Sequence, residues 1–189
     1  MEFCDDLIAV LGTLAGTFAG WGLSQLTERR NISKKKNAVF IELTQLSEKL
    51  NKVADTVLSI ANNLCSNKPS DYLTLPMPVR LEITDEFFKQ VYIRLSPSER
   101  ANVSGLREFV DTLNDAIAVV ERAKEPEYTK QQYFDMVLTA YGNAIAAELY
   151  ARETIQKRKE VVDLNSPSFI AVRKRLNETY CELHAKLVK

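Results

Sequence analysis

Residues Leu7–Leu26 read LIAVLGTLAGTFAGWGLSQL, without a single charge. At about 1.5 Å rise per residue, a helix of that length is roughly 30 Å long, the thickness of a bilayer hydrocarbon core. Arg29, Arg30, Lys34, Lys35 and Lys36 follow it; Glu2, Asp5 and Asp6 precede it. Cationic flanks are retained on the cytoplasmic side. The stretch therefore predicts one transmembrane helix, N-terminus out, with everything after Thr27 in the cytoplasm. A cleaved signal peptide fits less well. Thr17-Phe18-Ala19 could serve as a cleavage site, but a positive n-region is missing and the basic cluster lies on the wrong side.

The stretch also has two sides. Gly12, Gly16 and Gly20 recur every four residues, a small-xxx-small pattern that lets helix backbones approach closely in lipid. At 100° per residue, Thr13, Thr17, Gly20, Ser24 and Thr27 fall within about 80° of one another. Leu7, Leu11, Leu14, Phe18 and Trp21 occupy the other side. Lipid offers hydroxyls no partner, so the small polar face should meet another helix or water. Three readings stand: a plain anchor with incidental glycines, a packing face for a homo-oligomer, and the lining of a narrow channel. Gly12, Thr13, Gly16, Thr17, Gly20 and Ser24 are the candidate packing or pore-lining residues.

The charges balance, with 25 basic and 25 acidic residues, but they are unevenly placed: acidic before the stretch, basic just after it. The basic run is a topology signal and could also hold anionic headgroups, at about 1 kcal/mol per residue near the surface. One short run beside a membrane does not indicate nucleic acid. Cys4, Cys65 and Cys181 are scattered, with no metal or redox spacing. His184 is the only histidine, which argues against His-based metal sites and against most Ser-His or Cys-His catalysis.

Beyond residues 28–37, the basic connector, residues 38–189 read as one cytosolic all-α domain of about five helices, an up-and-down bundle. No strand alternation is found. The connector is expected to continue the first helix into the domain without a break. Val39, Leu43, Leu46, Leu50, Val53, Val57, Ile60 and Leu64 are spaced 4-3-4-3-4-3-4. Phe40, Ala54 and Ala61 widen that stripe, which favours a bundle core over a two-stranded seam. Pro69, Pro76 and Pro78 exclude a regular helix over Ser66–Arg80. Thr84 is expected to cap a short helix ending near Leu95. Ser96-Pro97-Ser98-Glu99 and Thr129-Lys130-Gln131-Gln132 read as capping boxes for two long helices. The first buries Val103, Leu106, Val110, Leu113, Ile117 and Val120, with a kink expected at Gly105. The second is expected to reach about Leu164, with Arg152–Lys159 solvated. Ser166-Pro167 opens the last helix, through Leu176, Tyr180, Leu183 and Leu187.

No GxSxG, P-loop, HExxH, CxxC or DxDxDG motif is present, and no catalytic residue, metal site or cofactor is expected. Glu148–Arg152 and Glu153–Lys157 are spaced as surface salt bridges. A short N-terminal span, a basic connector and a single helical cytosolic domain together resemble the small membrane accessory proteins of CRISPR type VI-B systems. They also resemble, more broadly, membrane effectors of bacterial phage defence. The resemblance covers architecture along the whole chain. It implies a HEPN-like fold, a ring-shaped homo-oligomeric pore in the bacterial inner membrane and a role in antiviral defence. HEPN nucleases carry an Arg, four to six residues, then His. Here Asn177, Glu178 and Thr179 stand where that Arg would precede His184, so no nuclease residue carries over. The alternative is a membrane-tethered helical module that recruits a cytosolic partner, with Ser66–Arg80 and Arg152–Lys159 as candidate contacts.

Overall fold

The computed structural model describes residues 2–66, 74–123 and 128–188, with side chains from residue 17 onward. Among these residues all regular structure is helical. The helices are α1 (Glu2–Cys65), α2 (Glu82–Val91), α3 (Pro97–Arg122), α4 (Lys130–Gln156) and α5 (Pro167–Leu187), with a 3-10 turn at Tyr92–Arg94. The connector is part of α1, which runs unbroken for 64 residues, about 96 Å at 1.5 Å per residue.

The heptad stripe of α1 is the core. Val39, Leu43 and Leu50 are fully buried, and Phe40, Ala54 and Ala61 widen the stripe as expected. Its most extensive partner is α4, running antiparallel. Ser47 Oγ donates to Glu148 Oε1 at 3.1 Å, and the Arg158 guanidinium beyond the end of α4 lies 4.0 Å from the Phe40 ring centre. α3 and α5 also run against α4: Tyr150 meets Phe109 and Phe169, and Phe134 meets Tyr180. α2 runs back along α1, with Thr84 beside Glu42 and Gln90 beside Lys35. The result is an up-and-down bundle with α4 at its centre. α4 suits that place because Ala140, Ala144, Ala147 and Ala151 are buried alongside its large residues, so neighbours can approach from several sides.

Both capping boxes form. Ser96 and Glu99 satisfy each other's backbone N–H at α3, and Thr129 and Gln132 do so at α4. Elsewhere the expectations need correction. Thr84 does not cap α2. The helix begins at Glu82 behind Leu81, and the Glu42 carboxylate on α1 accepts from the Ile83 and Thr84 N–H groups at 2.9 and 2.6 Å. α4 stops at Gln156 rather than near Leu164. Beyond it, Asn102 Nδ2 donates to the Glu160 carbonyl at 2.8 Å and its Oδ1 accepts from Val162 N–H at 2.9 Å. Those bonds hold the chain in a non-helical path. Within Arg152–Lys159, expected to be solvated, Glu153 and Thr154 are buried.

Gly105 lies within the continuous helix α3 and makes room for a ring. A methyl group there would lie 2.3 Å from Tyr150 Oη and 2.9 Å from Cζ. The Tyr150 ring is wedged between Phe109 and Phe169, at 4.8 and 6.4 Å between centres, so it cannot swing aside cheaply. Gly105→Ala should therefore destabilise by about 1–2 kcal/mol in denaturant unfolding, the overpacking cost exceeding the ~1 kcal/mol helix-propensity gain. Adding Tyr150→Phe, which removes the nearest atom, should recover part of that loss. Strict additivity of the two substitutions would refute the clash.

No helix among the described residues is long and apolar enough to cross a membrane. The expected span Leu7–Leu26 takes half its length from residues 7–16, whose side chains lie outside the described residues.

Candidate functional site

Among the described side chains of α1, the bundle covers those from the connector onward. Over residues 17–26 the helix is largely bare: Phe18 is 70 % exposed, Trp21 65 %, Leu23 66 % and Leu26 54 %. Such a run of uncovered large apolar side chains on a single helix cannot be left in water without cost, at about 25 cal/mol per Å². Of the candidate face, Thr17, Gly20 and Ser24 lie on this exposed segment, on one side of the helix. Gly12, Thr13 and Gly16 fall among residues whose side chains are not described. A Cβ at Gly20 or Gly22 would meet nothing within 4 Å, so both glycines present open backbone. The Thr27 hydroxyl donates to the Leu23 carbonyl one turn back, at 2.9 Å. That bond lets a hydroxyl sit on an apolar helix without a water partner.

The basic run divides in two. Arg29, Arg30 and Lys34 are exposed. Lys35 and Lys36 turn onto the bundle: Lys35 Nζ donates to Gln90 Oε1 and sits 5.3 Å from the Phe87 ring centre. Lys36 Nζ reaches Glu99 Oε2 at 2.7 Å and the Arg94 carbonyl at 3.4 Å. Glu99 thus closes its own capping box and ties α1 to the start of α3. Nothing in the local sequence distinguishes Lys36 from Lys34; the partner lies 63 residues away.

Burial pushes the Glu99 carboxyl up, but the Lys36 ammonium and the Ser96 N–H outweigh it and hold the group below the usual glutamate range. A depressed folded value adds stability above the unfolded pKa, about 4.3, and that stability is lost as pH falls through the folded value. Lys36→Met should therefore cost about 1–2 kcal/mol at pH 7, and the gap to wild type should close on acidification below about pH 4. Urea unfolding measured from pH 3 to 7 checks this; a gap independent of pH would refute the pairing.

Reactive groups are spread rather than gathered. Among the described residues no cluster of His, Cys, Asp and Glu could hold a metal ion. His184 stacks on Tyr180 at 5.7 Å. Cys65 donates its thiol to the Leu183 carbonyl at 3.3 Å, and burial raises its pKa, while Cys181 is exposed on α5. Glu153, which the sequence places in a surface pair, is buried with Lys157 at 2.7 Å. The Lys157 hydrogen bond outweighs burial and holds that carboxyl below its usual range. Glu148 and Arg152 are 4.0 Å apart. These are structural pairs on helix ends and faces. The chain matches no known protein family, no curated protein and no solved structure.

Proposed function

We propose that the chain is a homo-oligomeric membrane protein whose α1 helices pack together in the bilayer and line a pore. The observation that carries this reading is the bare segment of α1: a stretch continuous with the bundle core, rich in large apolar residues, and uncovered from Phe18 to Leu26. Lipid and a second copy of the helix together suit both of its sides. The bulky residues would face acyl chains. Gly20 offers an open backbone for close packing, and Thr17 and Ser24 would turn toward the axis with Thr13. One helix encloses nothing, so a pore requires several chains, and a closed ring is the expected solution. The N-terminus would lie outside and the bundle in the cytoplasm. The architectural resemblance supplies the expected setting, permeabilisation of the bacterial inner membrane in antiviral defence.

Gly20→Leu is the clean test, because a Cβ there meets nothing of its own chain within 4 Å. Wild type should run in mild detergent as one large closed particle and release ions from vesicles. Gly20→Leu should dissociate it, and Thr17→Leu should block conductance while leaving the particle intact. Unchanged particle and conductance in both variants would defeat the reading.

One observation favours the tethered module instead. Met77, held between Pro76 and Pro78, is 87 % exposed and available to a cytosolic partner. Exchanging α1 upstream of Glu28 for an unrelated single span separates the two readings. A module keeps its cellular effect, and a pore loses it.

A further inference from the structure

The bare segment of α1, residues 17–26, leaves the bundle at one end, and a second feature projects at that same end. The 3-10 turn Tyr92–Arg94 packs against α1 where the basic run enters the bundle: Lys36 donates to the Arg94 carbonyl, and Lys35 reaches Gln90. Ile93 at its tip is 84 % exposed, more than any other large apolar residue described except Met77. Tyr92 beside it is 43 % exposed, held edge-on by Phe88 and covered by the Arg100 guanidinium at 4.8 Å. Lys89 and Arg94 flank the tip and are exposed. Lys159, in the turn after α4 that carries Arg158 onto Phe40, adds an exposed cation at this end. Glu86 and Glu160 are interspersed, but the cations prevail. An exposed aliphatic tip, a half-buried tyrosine and flanking cations form the combination that settles at a bilayer's polar interface.

We infer that this end of the bundle faces anionic lipid headgroups across a short gap, with Lys89 and Arg94 as the electrostatic contacts and Ile93 and Tyr92 turned toward the headgroup layer. The inference rests on the membrane reading above and adds to it a second, peripheral contact. The spacing allows it. Lys35 lies nine residues beyond Leu26, about 13 Å along the helix. The polar layer takes up about 5–8 Å of that distance, so the turn sits within one Debye length, about 8 Å, of the phosphates. Contact at this range is electrostatic rather than deeply inserted. It should therefore require anionic lipid and weaken in salt.

The test uses the full chain in vesicles, its three cysteines replaced by serine, with a nitroxide at one introduced cysteine. Ile93→Cys reports the tip, Val119→Cys the far end of the bundle, and Phe18→Cys the bare helix. A nickel-chelating lipid relaxes labels near the headgroups. In vesicles containing phosphatidylserine, relaxation at residue 93 should exceed that at residue 119 by at least about threefold. It should fall toward the residue 119 level in pure phosphatidylcholine, in about 1 M salt, where screening is strong, or with Lys89→Glu and Arg94→Glu together. Equal relaxation at residues 93 and 119 under all conditions would overturn the inference. So would broadening at residue 93 that follows protein-to-lipid ratio rather than lipid charge, which would mark a contact with a second copy. A label at residue 18 that stays accessible to water would instead remove the membrane reading itself. Lipid at residue 18 with water at residue 93 would remove only this inference.

Discussion

Replacing Glu42 with alanine is expected to lower the unfolding free energy by about 3 kcal/mol and to strip protection from α2 before any other helix. Glu42 lies on α1 with only 7 % of its surface exposed. Its two carboxylate oxygens accept from consecutive backbone N–H groups in the first turn of α2, Ile83 at 2.9 Å and Thr84 at 2.6 Å. Those are among the donors that a helix cannot satisfy internally, and the positive end of the helix dipole compensates the buried charge. α2 has no side-chain cap of its own at Leu81. Without Glu42, the buried Thr84 N–H loses its acceptor, and among the described residues the buried Thr84 hydroxyl also has no partner. Each stranded group costs about 1–3 kcal/mol. Glu42→Gln should cost nearly as much, because an amide presents one acceptor and then a donor to two N–H groups. Guanidinium unfolding of the full chain in detergent gives the magnitude, and hydrogen exchange gives the order of opening. A loss under about 1 kcal/mol in both variants would mean that water replaces the carboxylate.

Glu42 also shows where sequence reading stops. The stripes on α1 and α3 were legible because burial there depends on residue type and spacing alone, and Val39 through Ile60 and Val103 through Val120 are buried as spaced. The capping boxes were legible because Ser96–Glu99 and Thr129–Gln132 close within one turn of chain. The contacts of Glu42, Lys36 and Asn102 span 41 to 63 residues, and no local pattern separates these residues from exposed ones of the same type. For the same reason the basic run looked uniform, while two of its five residues serve the bundle. Of the candidate face on α1, Thr17, Gly20 and Ser24 lie on exposed helix. The turn carrying Ile93 was not legible. Its exposure follows from how α2 ends against α1, and Phe87, Phe88, Val91, Tyr92 and Leu95 looked equally apolar in sequence while only Val91 and Leu95 are buried.

Asn102→Ala should be the other severe substitution, at about 3–4 kcal/mol. Asn102 is fully buried on α3, and its amide makes both bonds a peptide can make: Nδ2 to the Glu160 carbonyl, Oδ1 from the Val162 N–H. Together they replace the helix that the charge pattern of Arg152–Lys159 would otherwise extend, and they deliver Val162 to the core at 6 % exposure. Alanine leaves the Val162 N–H and the Glu160 carbonyl stranded beside a small cavity. Asn114 makes the same two-bond clamp on Val79, at 2.8 and 2.9 Å, but it is half-buried and water can take its place. Asn114→Ala should therefore cost about 1 kcal/mol, and the difference between two chemically identical clamps measures burial itself. Asn102→Asp sharpens the point. A carboxylate can still accept from Val162 but faces the Glu160 carbonyl with no hydrogen to offer. When protonated, it regains that donor. This variant should be among the least stable at neutral pH and recover on acidification relative to Asn102→Ala, a crossing that a packing defect alone would not produce.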